Sequence, residues 1–189
     1  MDQELDLKNI KGLNRFTENA KQAILDGYKF AKDFSFPEYK SIHLFYVFLV
    51  EKKGMVMDVL TRVGVDIENS IKRIQESFNK NKAQYEDPIV ILPSFSDEIK
   101  KLINESFVIS SQLGHVYVGS EHLLLSMFTL QGIDFIEEMK KVGINFDVMK
   151  KVLLSIGNYP AVSATLESGD KDFQASEQKQ SSLPYFCRD

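Results

Sequence analysis

Cysteine is almost missing from this chain: the single Cys187 excludes an internal disulfide, which fits a reducing compartment. No secretory signal precedes Phe16, and no apolar run approaches the ~20 residues of a membrane-spanning helix. Basic residues are not in excess either. Lys and Arg number 23 against 27 Asp and Glu, for a net charge of −4, and no basic stripe or polybasic segment stands out. That balance argues against a nucleic-acid binder and against attachment to an anionic membrane surface. The phosphate loop Gly-x-x-x-x-Gly-Lys-Ser/Thr is absent, as are a serine nucleophile elbow and a His-Glu-x-x-His pair. The chain is therefore expected to be no enzyme itself, to hold no cofactor and no metal, and to be soluble and cytoplasmic.

What is present is a large apolar fraction, 43%, arranged twice over. At a constant offset of 79 residues Phe16-Thr17 matches Phe95-Ser96 and Lys21 matches Lys100. Ser41, His43 and Leu44 match Ser120, His122 and Leu123, and Val63-Gly64-Val65-Asp66 matches Val142-Gly143-Ile144-Asn145. No gap is needed between these anchors, so one duplicated unit accounts for residues 16 to about 155.

Each copy reads as four helices. Thr17 caps the first, on which Ala20, Ala23, Ile24, Gly27, Tyr28 and Ala31 recur at three-and-four spacing. Pro37 interrupts, and residues 42–50 are apolar nearly all round, the mark of a buried helix. Gly54 opens the next connection, Gly64 ends a short third helix, and Asp66 caps a fourth that carries Ile67, Ile71, Ile74 and Phe78 inward. In the second copy Ser96 caps the first helix, Ser120 the buried one, and Gly143 precedes the last. Between the copies Asp87-Pro88 and Pro93 exclude a continuous helix, and Ile89-Val90-Ile91-Leu92 reads as an extended strap on the helical body. The expectation is an all-α domain of two pseudo-symmetric four-helix units and a monomer. Its parts are an arm at 1–15, a first repeat at 16–78, a connection at 79–94, a second repeat at 95–156 and a flexible tail at 157–189.

Phe-Thr-Glu-Asn-Ala at 16–20 and Leu-Gly-His-Val-Tyr-Val-Gly-Ser-Glu-His-Leu-Leu-Leu at 113–125 resemble the double Clp repeat. That repeat is the N-terminal domain of the Clp/Hsp100 unfoldase ATPases. The second copy is the more ClpC-like; Ile42-His43-Leu44 in the first drifts towards ClpB-like patterns. The resemblance implies a recognition domain for protein substrates and adaptors, acting with a Clp protease through the full-length protein. Residues 183–189 resemble the lead into a first ATPase module, where ATP and magnesium are expected. The alternative is a stand-alone Clp-repeat adaptor or stress-response protein without a motor.

Candidate site residues follow from the helix starts. Ser96 opens a helix whose free N–H groups and dipole favour an anion, while Glu121, in the first turn of another, suits a guanidinium fork. The family resemblance implies a phosphoarginine pocket at these positions. Thr17 and Ile42 are the degenerate counterpart in the first repeat, and Ile42 lacks a carboxylate. Ser41, His43, Ser120 and His122 are expected to be structural, the histidines holding loop to helix by hydrogen bonds, with His115 bridging the loop in the same way. A metal at the histidines lacks a third ligand at a sensible spacing, and Cys187 beside Arg188 is expected to be inert.

Overall fold

The computed structural model describes residues 12–52, 54–82 and 92–156. The first repeat comprises α1 (Glu18–Asp33), α2 (Ser41–Glu51), α3 (Gly54–Arg62) and α4 (Ile67–Lys82). The second comprises α5 (Asp97–Gln112), α6 (Ser120–Thr129), α7 (Asp134–Lys141) and α8 (Phe146–Ile156). Among the described residues the fold is thus all-α, two four-helix repeats, as the duplicated pattern requires.

The helix starts are fixed by the residues that the sequence nominates. Thr17 Oγ1 accepts from the Ala20 N–H at 3.3 Å, and Ser96 Oγ from the Ile99 N–H at 3.2 Å. Asp66 and Asn145, 79 residues apart, cap α4 and α8 through the Asn69 and Val148 N–H groups. Such caps stabilise a helix by about 1 kcal/mol each. The apolar stripes then meet: α1 packs on α2, and α5 on α6. The middle helices are the core, with Leu44, Phe45, Leu49, Leu123, Leu124 and Leu125 almost wholly inaccessible.

Two differences from the sequence reading have plain causes. α4 continues to Lys82, inside the span given to the connection, because no breaker occurs before Asp87-Pro88. Residues 83–91, and with them most of the supposed strap, lie outside the described residues, as do the arm up to residue 11 and the tail from 157. A very short parallel pairing also appears: β1 (Glu38–Tyr39) lies beside β2 (Ser94–Phe95). Its pseudo-symmetric partner is the single bridge of Phe16 with Val118. The first pairing seats Tyr39 against α1 so closely that a Cβ on Gly27 would stand 2.7 Å from the Tyr39 hydroxyl. Only glycine fits there.

No helix among the described residues is long and apolar enough to cross a membrane. Leu124→Ala should cost ~2–5 kcal/mol, since Leu124 is 1% exposed in the middle of α6. Val142→Ala, at 75% exposed, should change stability by less than ~0.5 kcal/mol. Urea midpoints of the two variants check this, and comparable midpoints would misplace the core.

Candidate recognition surface

The pairing of helix starts is crossed between the repeats. The Thr17 N–H donates to the Val118 carbonyl at 3.0 Å and the Val118 N–H to the Arg15 carbonyl at 2.7 Å. In the mirror position the Ser96 N–H donates to the Tyr39 carbonyl at 3.1 Å; beside it the Ser94 N–H donates to the Pro37 carbonyl at 3.0 Å. The start of α1 therefore abuts the turn into α6, and the start of α5 abuts the turn into α2. This corrects the grouping of Ser96 with Glu121. The 16 residues of α5 separate the two, a rise of about 24 Å, because Glu121 follows the loop at the far end of that helix. The structure brings Thr17 towards Glu121, and Ser96 towards Ile42.

The cap expected at Ser120 shifts by one place, and the start of α2 is built the same way. Ser41 and Ser120 are the first residues of α2 and α6, and Lys40 and Gly119 precede them as caps. A histidine three residues on closes each start: His43 Nδ1 accepts from the Lys40 N–H at 3.0 Å, and His122 Nδ1 from the Gly119 N–H at 2.8 Å. An imidazole acceptor reaching back replaces the serine hydroxyl, so loop and helix are tied through the ring.

The two starts differ in the source of their carboxylate. At α6 the side chain of Glu121 folds back over Gly119 so tightly that a Cβ there would strike the carboxylate. At α2, where Ile42 has no acid to offer, Glu98 of the second repeat takes the role. It accepts from the Ser41 N–H at 2.9 Å and also from the Ser41 hydroxyl. Sequence reasoning missed Glu98, and its only signal was an acid in the first turn of α5.

Electrostatics follow from burial. The Glu121 carboxyl lies above the usual carboxylate range because burial penalises its charge, an effect its own backbone N–H partly opposes. His122 falls to about 4, through burial first and then the neighbouring His115. His43 also falls to about 4, through burial and then Lys40. With Nδ1 of His122 accepting, its Nε2 carries the proton, and the ring meets His115 Nδ1 at 2.6 Å as donor to acceptor. Glu121 Oε1, 3.2 Å from His122 Nδ1, thus faces a neutral ring and makes no ion pair with it.

The fold brings together a third potential metal ligand that spacing alone did not reveal. Donor atoms of His115, Glu121 and His122 lie within 4.8 Å of one another. The two rings are engaged with each other and with the Gly119 N–H. For Nε2 of a neutral His122 to ligate, the proton would have to move to Nδ1, which would break the bond from the Gly119 N–H. As they stand, the two rings tie the loop at His115 to the start of α6.

A second feature lies at the seam between repeats. A groove of about 660 Å³ runs between α4 and α7, with Ile42 and Phe45 of α2 in its floor and Glu98 at one end. With this geometry the chain joins a known class: the Clp repeat (R) N-terminal domain profile matches residues 15–142. The chain belongs to that family. It is 26% identical over 173 residues to the chaperone protein ClpB of Corynebacterium diphtheriae, covering 92% of this chain and 20% of the relative. An uncharacterized protein of Mycobacterium tuberculosis is 27% identical over 128 residues, 68% of this chain and 48% of the relative. The chain thus spans at most about half the length of these curated relatives. Among solved structures it shares the fold of the ClpV N-domain of Vibrio cholerae (TM-score 0.61, 21% identity, 78% of this chain and 88% of that one). It is also similar to the Hsp104 N-terminal domain of Candida albicans (TM-score 0.57, 19% identity, 75% and 90%).

The buried histidines give the domain a pH dependence. Their folded pKa values lie below the ordinary 6.5, so the unfolded chain binds more protons between about 4 and 6.5. Their stabilising contribution is fully present above pH 6.5 and is lost as pH falls towards 4, by up to ~3 kcal/mol per ring. Protonation of Glu121, whose folded pKa is raised, offsets part of this on the acid side. Urea unfolding at pH 7.5 and 4.5 should show the loss, and His43→Gln with His122→Gln should flatten the profile. A wild-type profile flat across that window contradicts the neutral, accepting rings.

Proposed function

We propose that this chain is the substrate- and adaptor-recognition domain of a Clp-type ATPase. It binds segments of partner proteins and passes them to an ATPase ring in the rest of the protein, where ATP and magnesium belong, working with a Clp protease in the cytoplasm. The observation that carries this reading is the double repeat locked into one body with a groove left at its seam. A fold relative, the ClpV N-domain, is known in complex with a VipB peptide, which supports a peptide-binding role for this fold. An isolated monomer suits such a module. Fusing the domain ahead of a Clp ATPase ring stripped of its own N-domain should restore unfolding of at least one class of substrate. A fusion no more active than the stripped ring would overturn the reading.

The stand-alone alternative has one observation in its favour. The mycobacterial relative carries only about as much chain again outside the match, since 128 residues make 48% of it. The reading frame past Asp189 separates the two, because an ATPase module follows only in the first.

Phosphorylated arginine remains the finer proposal for the partner, moved to the crossed pair. Thr17 opens α1 beside the turn that leads to Glu121, and burial holds the Glu121 carboxyl above its ordinary range. A guanidinium would favour its ionised form, while the first N–H groups of α1 would face the phosphate. A charged hydrogen bond of ~1.5–3 kcal/mol corresponds to about ten-fold to a hundred-fold in affinity. Calorimetry with free phosphoarginine should show one dominant site, lost in Glu121→Gln and kept in Ile42→Ala. Two equal sites, or binding unaffected by Glu121→Gln, would contradict it.

A further inference from the structure

The pseudo-two-fold relates two seams between the repeats, and they are built differently. On one side α3 packs directly on α8. The equivalent pair, α7 and α4, stands apart on either side of the groove, with no comparable packing between them. The floor there is apolar: Ile42, Phe45, Ile74, Phe135 and Met139 line it. Phe45 and Phe135 stack with ring centroids 4.8 Å apart and planes 24° from parallel. Across the opening Arg73 of α4 reaches Glu138 of α7 at 2.5 Å, with both side chains at least half exposed.

The charge around that floor is unbalanced. Besides the Arg73–Glu138 pair the groove carries Lys40 and three carboxylates, of Asp66, Glu98 and Asp134. Asp66 is engaged in capping α4 and Glu98 in capping α2. Asp134 holds no ion pair among the described residues and is exposed. A seam that is apolar below and acidic at its edge fits one chemistry best, a chain with an apolar side and cations along its border.

We propose that the groove between α4 and α7 docks a basic amphipathic segment of a partner protein, whose lysine or arginine replaces Arg73 on Glu138. The proposal rests on the reading that this domain binds protein segments and specifies where and of what kind. An exposed ion pair is held weakly and opens readily. Exchanging one cation for another leaves no carboxylate unpaired, and the displaced Arg73 turns into solvent. Ile42 then has a role that its counterpart Glu121 could not fill, because it keeps the α2 end of the floor apolar.

The test uses two labelled helical peptides of leucine with lysine and of leucine with glutamate in the same amphipathic pattern. Their binding to the whole chain is followed by fluorescence anisotropy at low and high salt. The lysine peptide should bind at least about ten-fold more tightly than the glutamate peptide, and less so in high salt. Arg73→Ala should tighten it several-fold by removing the competing cation, whereas Glu138→Ala and Phe135→Asp should each weaken it about ten-fold. Asp147→Ala, outside the groove, alters net charge as Glu138→Ala does and should leave affinity unchanged. Equal binding of the two peptides would overturn the groove assignment. So would a shift in the same direction for Arg73→Ala and Glu138→Ala, or an effect of Asp147→Ala matching that of Glu138→Ala. If the fusion still unfolds substrates after any of these failures, recognition stands and only its place is wrong.

Discussion

Everything in this domain depends on four backbone hydrogen bonds that cross between the repeats. They run from Thr17 and Ser96 to the carbonyls of Val118 and Tyr39, with Val118 donating in return to Arg15 and Ser94 donating alongside Ser96 to Pro37. Each is worth only ~0.5–1.5 kcal/mol net. Their weight comes from what they align. Tyr39 and Val118 are completely buried behind them, and each fixes the entry into a buried central helix of one repeat against the first helix of the other. A repeat alone would leave these N–H and carbonyl groups without partners, so the two copies are one unit.

The crossing also lets duplicated sequence diverge at equivalent places. Each central helix has an acid near its start, where its first N–H groups lack partners within the helix. α6 keeps the acid on its own chain as Glu121. α2 has Ile42 at that place and borrows Glu98 through the crossed contact. The exchange frees residue 42 to be apolar, and it lies at the open seam. One seam closes as α3 on α8 while the other stays a groove spanned by Arg73 and Glu138. Two copies of one pattern thus form a module with one distinguishable face.

Much of this was legible in the sequence, and the boundary is physical. Helix content, the 79-residue offset, the buried central helices and the caps at Thr17, Asp66 and Ser96 are written in local spacing and residue chemistry. Local pattern carries no signal for which start meets which loop. The resemblance pairs Ser96 with Glu121 as two helix starts, yet an antiparallel helix pair sets the start of its first helix far from the start of its second. Glu98 was invisible for the same reason, its partner Ser41 lying 57 residues away. The cap of α6 falls on Gly119 in place of Ser120 because His122 is the acceptor, a role that serine usually fills.

Native-state hydrogen exchange of the crossed amides tests the account most directly. If the repeats are one cooperative unit, the amides of Thr17, Ser96 and Val118 open only with the whole domain. They should then show the same free energy and denaturant dependence as a core amide such as that of Leu124. Exchange of Thr17, Ser96 and Val118 at a clearly lower free energy than Leu124 would mean that the repeats part before either unfolds, and would contradict the crossed lock.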